Sequence, residues 1–136
     1  MTAPLQLRLV LHAPDLEEAL ALFRDALGMP VSLDLSTPTD EGDARVVVLE
    51  AGRATLELVN TAQRAHIDAL EVGRPVAREV RLALQVDDAA AASAAALAAG
   101  AEQVAPPTRT PWGSLNARLE TPVGVQLTLF EQVEEE

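Results

Sequence analysis

The sequence contains no cysteine, no tyrosine and no lysine; its ten basic residues are all arginine. Without thiols, disulfide scaffolds, thiolate metal centres and thiol nucleophiles are excluded. Aromatic residues make up only 2% of the chain, one Trp and two Phe. The core must therefore be aliphatic, and no aromatic platform is available for stacking the bases of a single strand. Positive charge is also scarce: 10 basic residues stand against 21 acidic ones, a formal net charge of -11. Such a chain repels phosphate backbones and anionic membrane surfaces, while a local basic pocket could still hold a small anion. No run approaches the roughly 18 apolar residues of a membrane span. The opening MTAPLQLRLVLHAPD lacks the basic start and long apolar stretch of a signal peptide. The expectation is a soluble cytoplasmic domain whose partners are neither nucleic acid nor membrane.

What the sequence does hold is 136 residues, 49% of them hydrophobic, enough for one domain with its own core. It is written twice, at an offset of roughly 72 residues. Leu7 to Asp15 and Val80 to Asp88 are both apolar runs of strand length that end in Asp. Each leads at once into a helical pattern that closes on glycine, Gly28 or Gly100. The first helix is predicted from Leu16 to Leu27, capped by Asp15, with Leu16, Leu20, Phe23 and Leu27 forming one apolar stripe. The second, about Ala89 to Ala99, is almost pure alanine and is capped by Asp87 or Asp88.

Three strands are predicted after each helix. In the first copy they are residues 31–35, 45–50 and 55–60, with a polar loop at 36–43; in the second they are 103–105, 115–120 and 125–130, with a loop at 106–114. The fold class is α+β: two tandem βαβββ modules forming a curved mixed sheet with a cleft. Residues 1–60 form the first module, 61–79 a linker of low periodicity, 80–132 the second module and 133–136 an acidic tail, all in one compact domain.

Alternation assigns the faces. Leu9 and Leu11 lie opposite Arg8, Val10 and His12; Leu56 and Leu58 opposite Thr55, Glu57 and Val59. In the second copy Leu82 and Leu84 lie opposite Arg81, Ala83 and Gln85, and Leu127 and Leu129 opposite Gln126, Thr128 and Phe130. The leucine faces should meet the helices. The mixed faces suit either a ligand cavity or a solvent-facing sheet.

Ala13-Pro14-Asp15-Leu16-Glu17, Leu22 to Met29, Leu82 to Asp88, Ala98 to Ala101, Pro107 to Gly113 and Thr121 to Leu129 resemble, in order, the motifs of the vicinal oxygen chelate superfamily. That group includes glyoxalase I, extradiol dioxygenases, bleomycin resistance proteins and methylmalonyl-CoA epimerase. The resemblance implies the two-module fold and homodimerisation. In the metal-dependent relatives four side chains hold a divalent ion at the cleft centre, and their positions fall here on Arg8, Glu57, Arg81 and Thr128. A guanidinium has no lone pair to offer and repels a cation, so only Glu57 remains a ligand. No metal and no other cofactor is expected. A site built on His12 and Glu57 would need help from a second protomer, and His66 in the linker is expected in solvent.

Two readings of the cleft centre stay open. Arg8, Glu57 and Arg81 form either a clamp for a carboxylate, phosphate or enolate-like oxygen, or a buried salt-bridge network joining the modules. Trp112 either stacks on a flat ligand or plugs the sheet edge. Gln85, Asn116, Arg118 and Gln126 supply cavity polarity or are solvated strand residues. The main expectation is a protein that binds a small molecule between its modules, with Arg8, His12, Glu57, Arg81, Gln85, Trp112 and Thr128 as the ligand-binding set. The rival is a lyase, isomerase or dioxygenase with an unconventional metal site, or with Glu57 as a metal-free general base. A structural or regulatory partner domain is a third class.

Overall fold

The computed structural model describes residues 3–133, so most of the acidic tail lies outside the described residues. The strands are β1 (Gln6–His12), β2 (Val31–Thr39), β3 (Gly42–Ala51), β4 (Ala54–Val59), β5 (Val80–Gln85), β6 (Glu102–Arg109), β7 (Ser114–Glu120) and β8 (Gln126–Gln132). The helices are α1 (Leu16–Leu20), α2 (Thr61–Glu71) and α3 (Ala89–Ala98). All eight strands form one sheet in the order β2-β3-β4-β1-β5-β8-β7-β6. That order reads the same from either end once the modules are exchanged, β1 for β5 through β4 for β8. The sequence repeat is thus a structural one, and both copies pair within a single chain.

The seam is the antiparallel pair of β1 and β5, with Leu9 opposite Leu82 and Val10 opposite Arg81. Each seam strand has a parallel partner on its outer side, β4 for β1 and β8 for β5. Leucines of alternating parity face the helices as expected. Leu16 and Leu20 of α1 pack on Val47, Leu49, Leu56 and Leu58. Ala89 and Ala92 of α3 pack on Ala117, Leu119, Leu127 and Leu129. Alanine on α3 lets the helix approach the sheet closely, so small side chains suffice on that side. A third apolar cluster of Val10, Val46, Val48, Val59, Ala83 and Phe130 lies on the opposite, concave face.

Four predicted boundaries are corrected. The first helix is α-helical only to Leu20 and continues as a π-helix over Ala21–Ala26, with Leu27 N–H bonding to Leu22 C=O at 3.0 Å. The wider turn rotates Leu27 off the buried stripe, leaving it 61% exposed, and Met29 packs on the core instead. Gly28 follows at φ +74°, a left-handed conformation that glycine adopts without strain. The predicted loops at 36–43 and 106–114 are largely strand, because β2 and β6 are the edges of the sheet. An edge has no outer partner to need an N–H, so it tolerates Pro38, Pro106 and Pro107.

The fourth correction concerns the linker. Residues 61–71 form α2, capped by Asn60, whose side chain accepts from Gln63 N–H at 2.8 Å. The helix escaped notice because its buried face carries Gln63, Asp68 and Glu71 beside Ala62 and Ile67, so no apolar stripe announces it. It packs across the concave face, touching β3 and β4 of one module and β6 and β7 of the other.

Candidate functional site

Between the concave face and α2 lies a cavity of about 390 Å³, within the size range of small-molecule sites. Its floor is set by strand register. Glu57, Val10 and Arg81 lie side by side in one row across β4, β1 and β5. Arg8, Ala83 and Thr128 form the adjoining row across β1, β5 and β8. The small Val10 and Ala83 between the polar residues leave the room. Phe130, Asn116 and Ser114 continue the wall on β8 and β7, and Val46 does so on β3. Gln63, His66, Ile67 and Glu71 of α2 form the roof. The partly exposed Leu33, Leu35 and Trp112 mark the mouth.

Of the predicted set, the structure brings Arg8, Glu57, Arg81, Trp112 and Thr128 to this cavity and leaves two out. His12 is outside the lining, at the end of β1, with its Nδ1 2.7 Å from Glu79 Oε2 and its Nε2 2.8 Å from Thr61 Oγ1. It therefore ties together β1, the start of α2 and the segment before β5. Gln85, at the end of β5, is likewise outside the lining, and its carbonyl accepts from Leu5 N–H at 2.7 Å. His66, expected in solvent, is part of the roof because the linker is a helix.

The proposed three-member salt bridge does not form as such. Arg8 Nη1 is 3.5 Å from Glu57 Oε1, while its Nε donates to Thr55 at 3.1 Å and its Nη2 to Gln6 at 3.2 Å. The same guanidinium stands over the Phe130 ring, 5.2 Å from its centre. Arg81 stays apart. It is 6% exposed, its Nη1 donates to the Thr128 hydroxyl, and no described carboxylate lies within ion-pair distance of it. Burial, aided by repulsion from Arg118, lowers its pKa from the usual arginine value, against a pull from Glu57, Glu71 and Asp68.

The buried network is instead centred on Arg118 of β7, which is fully buried, and it ties α2 to the second module. Its Nη1 donates to Asp68 at 2.9 Å and its Nη2 to Glu71 at 3.0 Å. Asp68 also accepts from Val76 and Ala77 N–H, both at 2.8 Å, and Glu71 accepts from Asn116 Nδ2 at 3.0 Å. Because Glu71 requires a donor, Asn116 is left with Oδ1 unpartnered. Arg118, Asn116 and Gln126 are thus buried and not solvated. The acidic partners escaped the sequence reading because they lie on the unrecognised helix; the Asn60 cap with Gln63 three residues later was the available signal.

The four positions that hold a metal in the metal-dependent relatives do gather on one face, but two guanidiniums, a threonine and one carboxylate do not suit a divalent cation. Among the described residues no three His, Asp or Glu side chains are grouped to hold one. The model of the Glyoxalase/Bleomycin resistance protein/Dioxygenase superfamily matches residues 6–129. The chain belongs to this superfamily.

Solved structures of the glyoxalase fold agree in architecture. A hypothetical protein from Bacillus halodurans C-125 is 15% identical, with a TM-score of 0.69 over 95% of this chain and 94% of the other. A variant of the Streptomyces coelicolor methylmalonyl-CoA epimerase, in complex with 2-nitronate-propionyl-CoA, is 18% identical, with a TM-score of 0.67 over 98% of this chain and 100% of that one. The methylmalonyl-CoA epimerase from Mycobacterium tuberculosis is 19% identical, with a TM-score of 0.65 over 98% and 93%. No curated protein matches the sequence. At these identities the likeness establishes the fold of this glyoxalase-superfamily member. Among its described residues no helix is long and apolar enough to cross a membrane.

Proposed function

We propose that this member of the superfamily binds a small molecule in the cleft between its modules and does so without a metal ion. The observation that carries this reading is a walled, roofed cavity of about 390 Å³ centred on the family's four ligand positions, of which two are now guanidiniums. Its lining combines apolar surface from Val10, Val46, Ile67 and Phe130 with convergent polar and charged groups, which together can fix a small molecule's position. A plain solvent-facing sheet would not be covered by a helix across both modules. We take the protein to be cytoplasmic and homodimeric; the exposed Val31, Leu33 and Leu35 of edge strand β2 support self-association, and light scattering tests it.

Trp112, the only tryptophan, stands at the cavity mouth and reports on occupancy. Screening a chemically diverse compound library by Trp112 fluorescence and thermal shift should yield saturable binders. Elemental analysis after dialysis against Ni, Zn, Mn and Fe(II) should show no stoichiometric ion. A bound ion at one per chain would overturn the metal-free reading, and a library with no binder would overturn the cleft as a binding site.

A second reading is favoured by Glu57, which faces the cavity with only a long 3.5 Å contact to Arg8. In it Glu57 takes a proton from the carbon acid of a bound substrate and Arg81 stabilises the resulting enolate-like oxygen. Exchange of deuterium from solvent into a bound ligand, lost in Glu57→Gln, is the expected sign of that chemistry.

A further inference from the structure

We infer that the ligand of this cavity is a small organic monocarboxylate, seated with its carboxylate on Arg81 and its apolar body toward Leu33, Leu35 and Trp112. The inference rests on the cleft-binding reading above and names the class of molecule bound there.

The charges around the cavity balance in number but not in pairing. Arg8, Arg81 and Arg118 stand against Glu57, Asp68 and Glu71. Arg118 takes two of those carboxylates and Arg8 takes the third. Asp68 and Glu71 are further held by backbone N–H groups and by Asn116, so neither is free to turn to Arg81. Arg81 is left as a cation, more than nine-tenths buried, on the cavity wall with a single neutral hydroxyl for a partner. A buried guanidinium without a counter-ion is costly, and the usual remedy is a planar anion that accepts two of its N–H groups.

The neighbours define which anion. Glu57 and Glu71 line the same cavity, so a dianionic phosphate would meet two carboxylates for one unpaired cation. A monoanion gives Arg81 its partner while adding the least negative charge beside those carboxylates. Val10, Val46, Ile67 and Phe130 give the body of the ligand apolar surface, set among the neutral polar side chains of Gln63, Ser114 and Asn116.

The test measures Trp112 fluorescence and thermal shift with butyrate, hexanoate, octanoate and benzoate, each beside its primary amide of nearly equal shape. Carboxylates should bind on the order of tenfold or more tightly than their amides. Arg81→Met should abolish that preference while circular dichroism shows the fold retained. Equal binding of amide and carboxylate, or binders found only among neutral compounds of the wider library, would overturn the carboxylate seat and leave the cleft reading standing. A preference that survives in Arg81→Met would overturn Arg81 as the seat. Failure of every compound class to bind would overturn both readings together. The amide comparison in the parent protein decides the matter even where the variant does not fold.

Discussion

At the scale of single residues, two carboxylates in the same chain have very different surroundings. Glu57 meets Arg8 at 3.5 Å, and the two side chains retain 13% and 24% of their exposure. Glu71 meets the fully buried Arg118 at 3.0 Å and is itself 2% exposed. Removing a partner from a buried ion pair leaves an uncompensated charge and costs about 3–5 kcal/mol, whereas a partly solvated pair is worth about 1 kcal/mol or less. Glu71→Ala, which leaves Arg118 with Asp68 alone and Asn116 without its acceptor, should destabilise by about 3 kcal/mol in urea unfolding, and Glu57→Ala by about 1 kcal/mol. Equal losses would mean that solvent reaches both pairs alike. The cleft-facing set was legible at this scale because strand parity alone puts Arg8, Glu57, Arg81 and Thr128 on one face. The partners of Arg118 were not, since a pairing across forty-seven to fifty positions leaves no trace in local pattern.

At the scale of elements, α2 shows both what pattern reading recovers and where it stops. β1 and the alternation of the sheet faces follow from apolar periodicity, because water drives those faces together, and α3 follows from its alanine content and Asp cap. α2 is held by polar contacts, so its buried face looks like a solvated one. Asn60 carries much of its entry. Besides accepting from Gln63 N–H, its Oδ1 accepts from Arg45 N–H at 3.0 Å and its Nδ2 donates to the Asp43 carbonyl at 2.8 Å. Loss of a helix cap costs about 1 kcal/mol, and here a strand is released as well. Asn60→Ala should lower stability by about 1–2 kcal/mol. Amide exchange should then quicken in α2 more than in α3, whose cap is the separate Asp88. Uniform quickening across both helices would argue against this local role.

At the scale of the whole molecule, carboxylates set the response to acid. Asp34 is held below its ordinary pKa by two hydrogen bonds from Arg45, at 3.0 and 2.9 Å. Glu79 is lowered by its hydrogen bond with His12 and by Arg64. A lowered carboxylate binds its proton less readily folded than unfolded, so its contribution is present above the ordinary carboxylate range and is lost as pH falls through and below it. The melting temperature should hold near neutrality and fall steadily below the ordinary carboxylate range. Asp34→Asn should flatten part of that fall; an unchanged profile would remove Asp34 from the account.

The prolines of the two outer strands have a consequence for crowding. A sheet edge ordinarily offers a row of backbone donors and acceptors that any extended chain can continue. Here one edge carries Pro38 and the other Pro106 and Pro107, each without an N–H to offer. The prolines interrupt that row on both edges, so the addition of strand upon strand is hindered there while copies of the protein can still meet through side chains. Replacing Pro106 and Pro107 with valine should open that edge, and thioflavin-positive aggregates should then form on prolonged incubation of a chain that otherwise stays clear.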